Sequence, residues 1–445
     1  MVPEKNNEKL KNRIDVISLG CSKNLVETER LLKQLEAKGY KAVFDSPDPK
    51  GEYVVVNTCG FISDAKEESI NVILGLTEKK NNREIGKIVV MGCLSERYLE
   101  DLKKEIPEVD LWFGKFNWTA FIDTLPTLKE HPKPEIWERK LTTPKHSAYL
   151  KISEGCNRFC AFCAIPRITG RHHSRQIEEI ENEVISLVKE GVKEFNVIAQ
   201  DLSSYGTDLY GKSALAGLID RISDIEGVEW IRLHYAYPAD FPFDVLDVMA
   251  KKENVCKYLD IALQHISDPV LKNMQRHISK KDTIELLDKI REKVPGIKIR
   301  TTLMTGFPGE GEKEFQELMD FLKEQRFDRM GAFTYCEEDD TFAAKHFEDT
   351  IPEETNQKRL DQLMALQQDI ALSLNEEMVG TKQKVLIDRI ENGKAFGRTQ
   401  YDSPEVDPEV IIDNPELKPG DFVSVIITDA YPFELIAKTD DGNQI

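Results

Sequence analysis

Three cysteines within eight residues constrain this chain more than any other feature. The stretch Glu154-Gly155-Cys156-Asn157-Arg158-Phe159-Cys160-Ala161-Phe162-Cys163 spaces them as C-x3-C-x2-C. The segment between the first and last thiol is too short to be a strand or helix of its own. Thiolates at short spacings of this kind hold iron–sulfur clusters. Three ligands on a four-iron cluster leave one iron without a protein ligand, and that iron can hold another molecule. A structural zinc site would want a fourth protein ligand nearby. The nearest, His172 and His173, follow at a spacing unlike that of a zinc finger. A zinc knuckle and three buried thiols stay open as alternatives at this point.

Three further cysteines share a different regularity. The runs Ile14–Leu19, Tyr53–Val56 and Lys87–Met91 are short and apolar, and they end at Gly20-Cys21, Asn57-Thr58-Cys59-Gly60 and Gly92-Cys93. Helical patterns follow from about Asn24 to Lys38, after Ser63 or Asp64, and from Ser95 to Glu105. Strands alternating with helices predict a doubly wound parallel sheet. In such a sheet the C-terminal strand ends share one edge, which is where ligands bind. Cys21, Cys59 and Cys93 are therefore expected to converge in space as a second three-thiolate set. Core cysteines or a redox pair are the alternatives, since a lone buried Cys is a common small hydrophobe.

The 445 residues allow about three domains. Residues 10–125 form the first, and the Pro-rich segment 126–146 reads as a linker that Trp137 pins. Residues 147–375 hold six more strand runs: Ala148–Ile152, Glu194–Ile198, Trp230–Leu233, Tyr258–Leu263, Lys298–Leu303 and Phe327–Phe333. Helix-length segments separate them, so a partial (β/α)6 barrel is expected, with its site at the C-terminal strand ends. The groups found there are Gln200-Asp201, His234-Tyr235, Gln264-His265 and Thr305-Gly306-Phe307-Pro308-Gly309. His265 and His277 read as structural histidines, and Cys256 and Cys336 as packed thiols. A helix from about Glu353 to Val379, stopped by Gly380, leads out of the barrel.

Residues 380–445 change character. Five short runs, starting at Lys384, Ala395, Val410, Phe422 and Leu435, predict a small OB-like β-barrel. It carries seven Lys/Arg against thirteen Asp/Glu. A barrel gripping RNA should have a basic groove, so a cationic protein is the more natural partner. The whole chain has a net charge of −19, which argues against general nucleic-acid binding. No run of about 18 apolar residues is present, so no membrane span is expected. The polar start and eight unpaired-looking cysteines point to a reducing, cytoplasmic setting.

The motifs Leu19-Gly20-Cys21, Asn57-Thr58-Cys59-Gly60, Met91-Gly92-Cys93 and Glu154-Gly155-Cys156-Asn157, in that order, resemble those of the radical S-adenosylmethionine (SAM) methylthiotransferases. The resemblance covers nearly the whole chain and includes a C-terminal TRAM barrel. Val197–Gly206, Leu233–Pro238 and Gln264–Asp268 look like the branch that modifies ribosomal protein rather than tRNA. One departure is Thr169-Gly170, where an Arg-Gly pair is common, although Arg167 and Arg171 are near.

The resemblance implies two 4Fe-4S clusters, one on Cys156, Cys160 and Cys163 and an auxiliary one on Cys21, Cys59 and Cys93. It also implies SAM as both radical source and methyl donor, and Gln200, Asp201, Gln264 and Thr305 as SAM- or substrate-pocket residues. The implied reaction adds a methylthio group to the β-carbon of an aspartate in the basic ribosomal protein S-twelve, with an electron donor as second partner. A radical is needed because that C–H bond is unactivated and no side-chain base removes its proton at pH 7. A tRNA adenosine methylthiotransferase would share all six ligands. A non-catalytic iron–sulfur carrier or sensor would use the cysteines but not a SAM-shaped barrel.

Overall fold

The computed structural model describes residues 11–440. Residues 1–10 and 441–445, among them the expected start of the first domain and Asp441, lie outside the described residues. The chain divides into two compact units. The first comprises residues up to 142 together with 154–157 and 164–171, and the second comprises 143–153, 158–163 and the chain from 172 onward.

The first unit is a five-stranded parallel sheet. Its elements in chain order are β1 (Arg13–Ser18), α1 (Ser22–Ala37), β2 (Lys41–Phe44), β3 (Tyr53–Thr58), α2 (Ser63–Asn81), β4 (Lys87–Gly92), α3 (Cys93–Glu105), β5 (Leu111–Trp112) and α4 (Trp118–Thr124). The strand order is β2-β1-β3-β4-β5. Because successive side chains point to opposite faces, Val55 and Val89 join one core with Leu31, Leu35 and Phe121, while Val54, Val56, Ile88 and Val90 join another with Ile73 and Leu102. Both faces are covered, as a parallel sheet requires. Sequence runs located β1, β3 and β4; β2 and β5 were too short to stand out.

The Pro-rich segment after α4 is strapped to this unit. Arg139 donates to the buried Glu29 carboxylate at 2.9 Å, Thr142 donates to Glu29 from both its N–H and its hydroxyl, and Gln34 donates to the Pro134 and Glu135 carbonyls. Buried Arg139, rather than half-buried Trp137, is the pin.

The second unit carries a six-stranded parallel sheet in which each strand neighbours the next: β6 (Ser147–Lys151), β7 (Glu194–Ile198), β8 (Trp230–Ala236), β9 (Val255–Gln264), β10 (Lys298–Thr305) and β11 (Arg329–Thr334). Helices α5 (Ile177–Lys189), α6 (Leu215–Ser223), α7 (Asp244–Lys251), α8 (Asp268–Asn273), α9 (Lys280–Lys293) and α10 (Glu312–Gln325) connect them. This is the expected (β/α)6 arrangement. Helix α11 (Glu353–Glu376) then leads to β12 (Lys382–Glu391), β13 (Lys394–Thr399), β14 (Glu409–Ile412), β15 (Phe422–Ala430) and β16 (Glu434–Thr439), which close into a barrel in the order β12-β13-β14-β16-β15.

The two sheets of this unit are joined by buried ions. Glu194, at the start of β7, receives Arg398 of β13 through both its oxygens, at 2.8 and 2.7 Å, and Arg232 of β8 at 2.9 Å. Ser147 donates to the same carboxylate at 2.7 Å, and Arg398 also grips Asp388. Arg329 binds Asp402, and Arg300 and Tyr258 bind Asp407. Helix α11 ties both ends together. Its Asn356 lies against Gly306, its Arg359 binds Glu310 at 2.9 Å, and its Asn375 donates to the Tyr431 carbonyl at 2.8 Å.

Burial alone would push the Glu194 carboxyl up, but Arg398 and then Arg232 hold it well below the usual carboxylate range. A carboxyl depressed on folding contributes stability that is full above its unfolded value of about 4.3 and is lost as pH falls through the folded value. Replacing Arg398 by Met leaves Glu194 and Asp388 buried with an ion partner missing. This should cost about 3–5 kcal/mol in urea denaturation followed by circular dichroism at pH 7. Glu194→Gln should flatten the loss of stability below about pH 4, because no proton then has to be taken up at that site.

Candidate metal centres

In the first unit every cysteine of the expected trio stands at a strand-to-helix junction. Cys21 is the N-cap of α1, Cys59 follows β3, and Cys93 opens α3. The junctions interlock by close approach. A Cβ added at Gly20, whose φ is +89°, would meet the Cys59 sulfur at 2.8 Å, and one added at Gly60 would meet the Cys93 carbonyl carbon at 2.9 Å. Only glycine permits this contact at either place. Two asparagines brace the edge. Asn24 donates to the Leu19 and Thr58 carbonyls and accepts from the Cys93 thiol at 3.5 Å, and Asn57 donates to the Asn24 carbonyl.

The electrostatics suit thiolates that share a cation. Burial pushes the Cys93 thiol up to about 12, against a partial pull from Lys115, and charge on Cys21 and Cys59 adds to the rise. Burial likewise raises Cys59. Cys21 is exposed at the sheet edge; partial desolvation there still acts upward, but Lys23, the N–H groups of Asn24 and Lys23, and Lys115 together bring the thiol below its ordinary value. A helix N-terminus favours a thiolate in this way. Lys115 is buried on the same side and meets Glu154 at 3.6 Å. Bound iron would remove the burden that burial and mutual repulsion place on these thiols, so the donor set fits a cluster. Among the described residues no three His, Cys, Asp or Glu side chains close tightly enough to hold a single metal ion.

The loop cysteines are each half-buried. Cys156 belongs to the first unit, where its N–H donates to the Gly170 carbonyl at 3.2 Å. Cys160 and Cys163 belong to the second, where the Cys163 N–H donates to the Cys160 carbonyl and the Ala161 N–H to the Met274 carbonyl.

The other site residues divide into two groups. Gln264 ends β9 with φ +70°, and Thr305 ends the adjacent β10. Gln264 Oε1 and Thr305 Oγ1 are buried without a hydrogen-bond partner, which fits polar atoms kept for a ligand. Gln200, just past the end of β7, is half-buried. Asp201 is engaged within the fold: it accepts from Arg158 at 2.8 Å, from the Ser204 hydroxyl and from the Ser203 N–H. Through the first of these bonds it holds Arg158.

His265 is buried, with Nδ1 accepting from the Ser267 N–H and Nε2 3.3 Å from Glu310. Cys256 is packed, but Cys336 is exposed, because it lies past the end of β11 rather than within it. Lys115 escaped the sequence reading, and Asn24 and Asn57 entered it only as a helix start and a motif position, without the bracing bonds they make. Lys115 follows β5, whose two residues gave no strand signal.

Three family descriptions match the chain: the radical SAM superfamily over residues 150–322, the uncharacterised protein family UPF0004 over 13–114, and the TRAM domain over 379–439. Among solved structures, the radical SAM methyltransferase TsrM from Kitasatospora setae, with cobalamin and a [4Fe-4S] cluster bound, covers 86% of this chain and 80% of its own, at 13% identity and a TM-score of 0.54. That likeness is one of fold. Proteins described as ribosomal protein uS12 methylthiotransferase RimO are much nearer in sequence. The Phocaeicola vulgatus protein is 58% identical over 96% of this chain and 99% of its own, and that of Bacteroides thetaiotaomicron 57% identical over 96% and 98%. The Cytophaga hutchinsonii protein is 48% identical over 96% and 98%. The chain is a radical SAM enzyme, and within that superfamily it belongs to the RimO family of methylthiotransferases.

Gly20→Ala should split the two thiolate sets. Iron and sulfide assays on anaerobically reconstituted protein should give about half the parent content, because a methyl group at Gly20 displaces Cys59 and leaves the loop cysteines untouched.

Proposed function

We propose that this chain adds a methylthio group to the β-carbon of an aspartate in ribosomal protein uS12. The observation that carries the reading is identity of 48–58% across nearly the full length of proteins bearing that description. Cys156, Cys160 and Cys163 would hold one 4Fe-4S cluster, and Cys21, Cys59 and Cys93 the other. When bound, the clusters supply an electron for opening SAM and a sulfur for transfer. Gln264 Oε1 and Thr305 Oγ1 offer acceptors to SAM or substrate, and Gln200 stands past the end of β7 in the same sheet.

The terminal barrel bears on the partner. Asp388, Asp402 and Asp407 are spent on internal arginines, so part of its acidity is structural. Arg398 is buried as well, and the remaining described acids still outnumber the bases, which supports a cationic protein partner over a phosphate backbone. Among the described residues no helix is long and apolar enough to cross a membrane. A cytoplasmic enzyme meeting uS12, free or on the ribosome, and drawing on a cellular electron donor completes the proposal.

The test is expression in cells lacking their own methylthiotransferases, with mass spectrometry of ribosomal proteins and tRNA nucleosides from one culture. A methylthio gain on an aspartate of uS12, abolished by Cys21→Ala, is expected. Methylthiolated adenosine with unmodified uS12 would overturn the substrate assignment. If the reduced protein cleaves no SAM, the catalytic reading fails and an electron carrier remains.

A further inference from the structure

Arg276 is a buried cation whose charge the fold does not otherwise neutralise. It is 3% exposed, and its Nε has no hydrogen-bond partner. One terminal nitrogen donates to the Ala262 carbonyl, and the other donates to the Cys160 sulfur at 3.3 Å. Among the described residues no carboxylate pairs with it. The contrast with Arg158 is direct. That guanidinium also lies against the Tyr237 ring, 4.3 Å from its centroid, but Asp201 and Asp240 each bind it at 2.8 Å. Arg276 lies 4.2 Å from the same ring, and the group it meets is the Cys160 sulfur. A buried ion left unpaired is costly, so its retention calls for a counter-charge.

The backbone is built around this placement. Gln275 and His277 on either side both adopt left-handed conformations, with φ +56° and +55°. Such strain in non-glycine residues persists only where the surroundings fix it, and it gathers at functional positions. The Tyr237 hydroxyl donates to the Arg276 carbonyl at 2.7 Å, clamping the peptide between the two strained residues. The Ala161 N–H donates to the Met274 carbonyl, which ties the cysteine loop to the same segment.

We propose that Arg276 sets the reduction potential of the cluster held by the loop cysteines, through its hydrogen bond and charge at Cys160, with Tyr237 as the residue that positions it. This rests on Cys160 being a ligand of that cluster. Reduction adds one negative charge to the cluster, and a fixed cation beside a ligating sulfur stabilises the more negative state. Hydrogen bonds to sulfur and local charge are established levers on such potentials. The guanidinium therefore makes the cluster easier to reduce.

The test uses the full chain, reconstituted anaerobically, carrying Cys21→Ala, Cys59→Ala and Cys93→Ala so that one cluster reports. Potentials are read by redox titration with electron paramagnetic resonance. Arg276→Met and Arg276→Gln should each make reduction harder by about tenfold in the equilibrium constant, which is about 59 mV for one electron. Arg276→Lys should shift less, and Tyr237→Phe should move slightly in the same direction. Full iron loading with the parent's potential in either neutral variant would overturn the proposal. Iron lost from both neutral variants but kept in Arg276→Lys would support the same need for a cation. Iron lost from all three would reduce Arg276 to a structural part and overturn it. Adding Cys160→Ala to the test chain checks the premise separately, because a cluster that survives it would refute the ligand assignment and with it the proposal, whatever the potentials of the Arg276 variants.

Discussion

One carboxylate holds the second unit together. Glu194 begins the strand next to the sheet edge, lies fully buried, and is shared by Arg232 from the neighbouring strand and Arg398 from the terminal barrel. Two arginines on one acid would leave an excess positive charge, and Asp388 supplies the balance by taking the other side of Arg398. Neither sheet is electrically complete without the other. Arg329 with Asp402 and Arg300 with Asp407 repeat the pattern along the same junction. Buried ion pairs are poor sources of net stability, but they are unforgiving about partners and geometry. Here they fix which residues of the barrel meet which strands.

The sequence was most legible where apolar runs mark strands. All six strands of the (β/α)6 sheet and all five of the barrel coincide with such runs. Placing Cys21, Cys59 and Cys93 on one edge followed from topology alone. The ionic junction was not legible, because Glu194 opens one run that reads as apolar and Arg232 and Arg300 interrupt two others. Their partners lie far along the chain, Arg398 being 204 residues from Glu194. The acidity of the last domain was visible as a count, but which acids face inward depends on those partners. Arg276 was invisible for the same reason, since it reaches a cysteine 116 residues away. The exposure of Cys336 and the exchange of Trp137 for Arg139 as the anchor of the Pro-rich strap are further cases. Residue type suggests burial, but position along an element decides it.

The two cysteine sets achieve their settings by different means. Cys21, Cys59 and Cys93 come from three strand ends and are spaced by glycines that let neighbouring loops touch. The loop cysteines come from one short segment, and their surroundings are supplied by distant side chains. Asp201 holds Arg158 through its carboxylate, whereas Gln264 and Thr305 keep open polar atoms.

Helix α11 has a consequence for how such a chain can be recombined. Its 24 residues span about 36 Å, with Asn356 and Arg359 on the loop after β10 at one end and Asn375 on the barrel at the other. The barrel is thus not a detachable module on a tether. Exchanging it for that of a relative would require the helix, the Asp388, Asp402 and Asp407 carboxylates and Arg398 to travel as one inherited block. Substrate preference in this architecture can change by altering the barrel's outer face, while its inner face stays committed to the sheet beneath it.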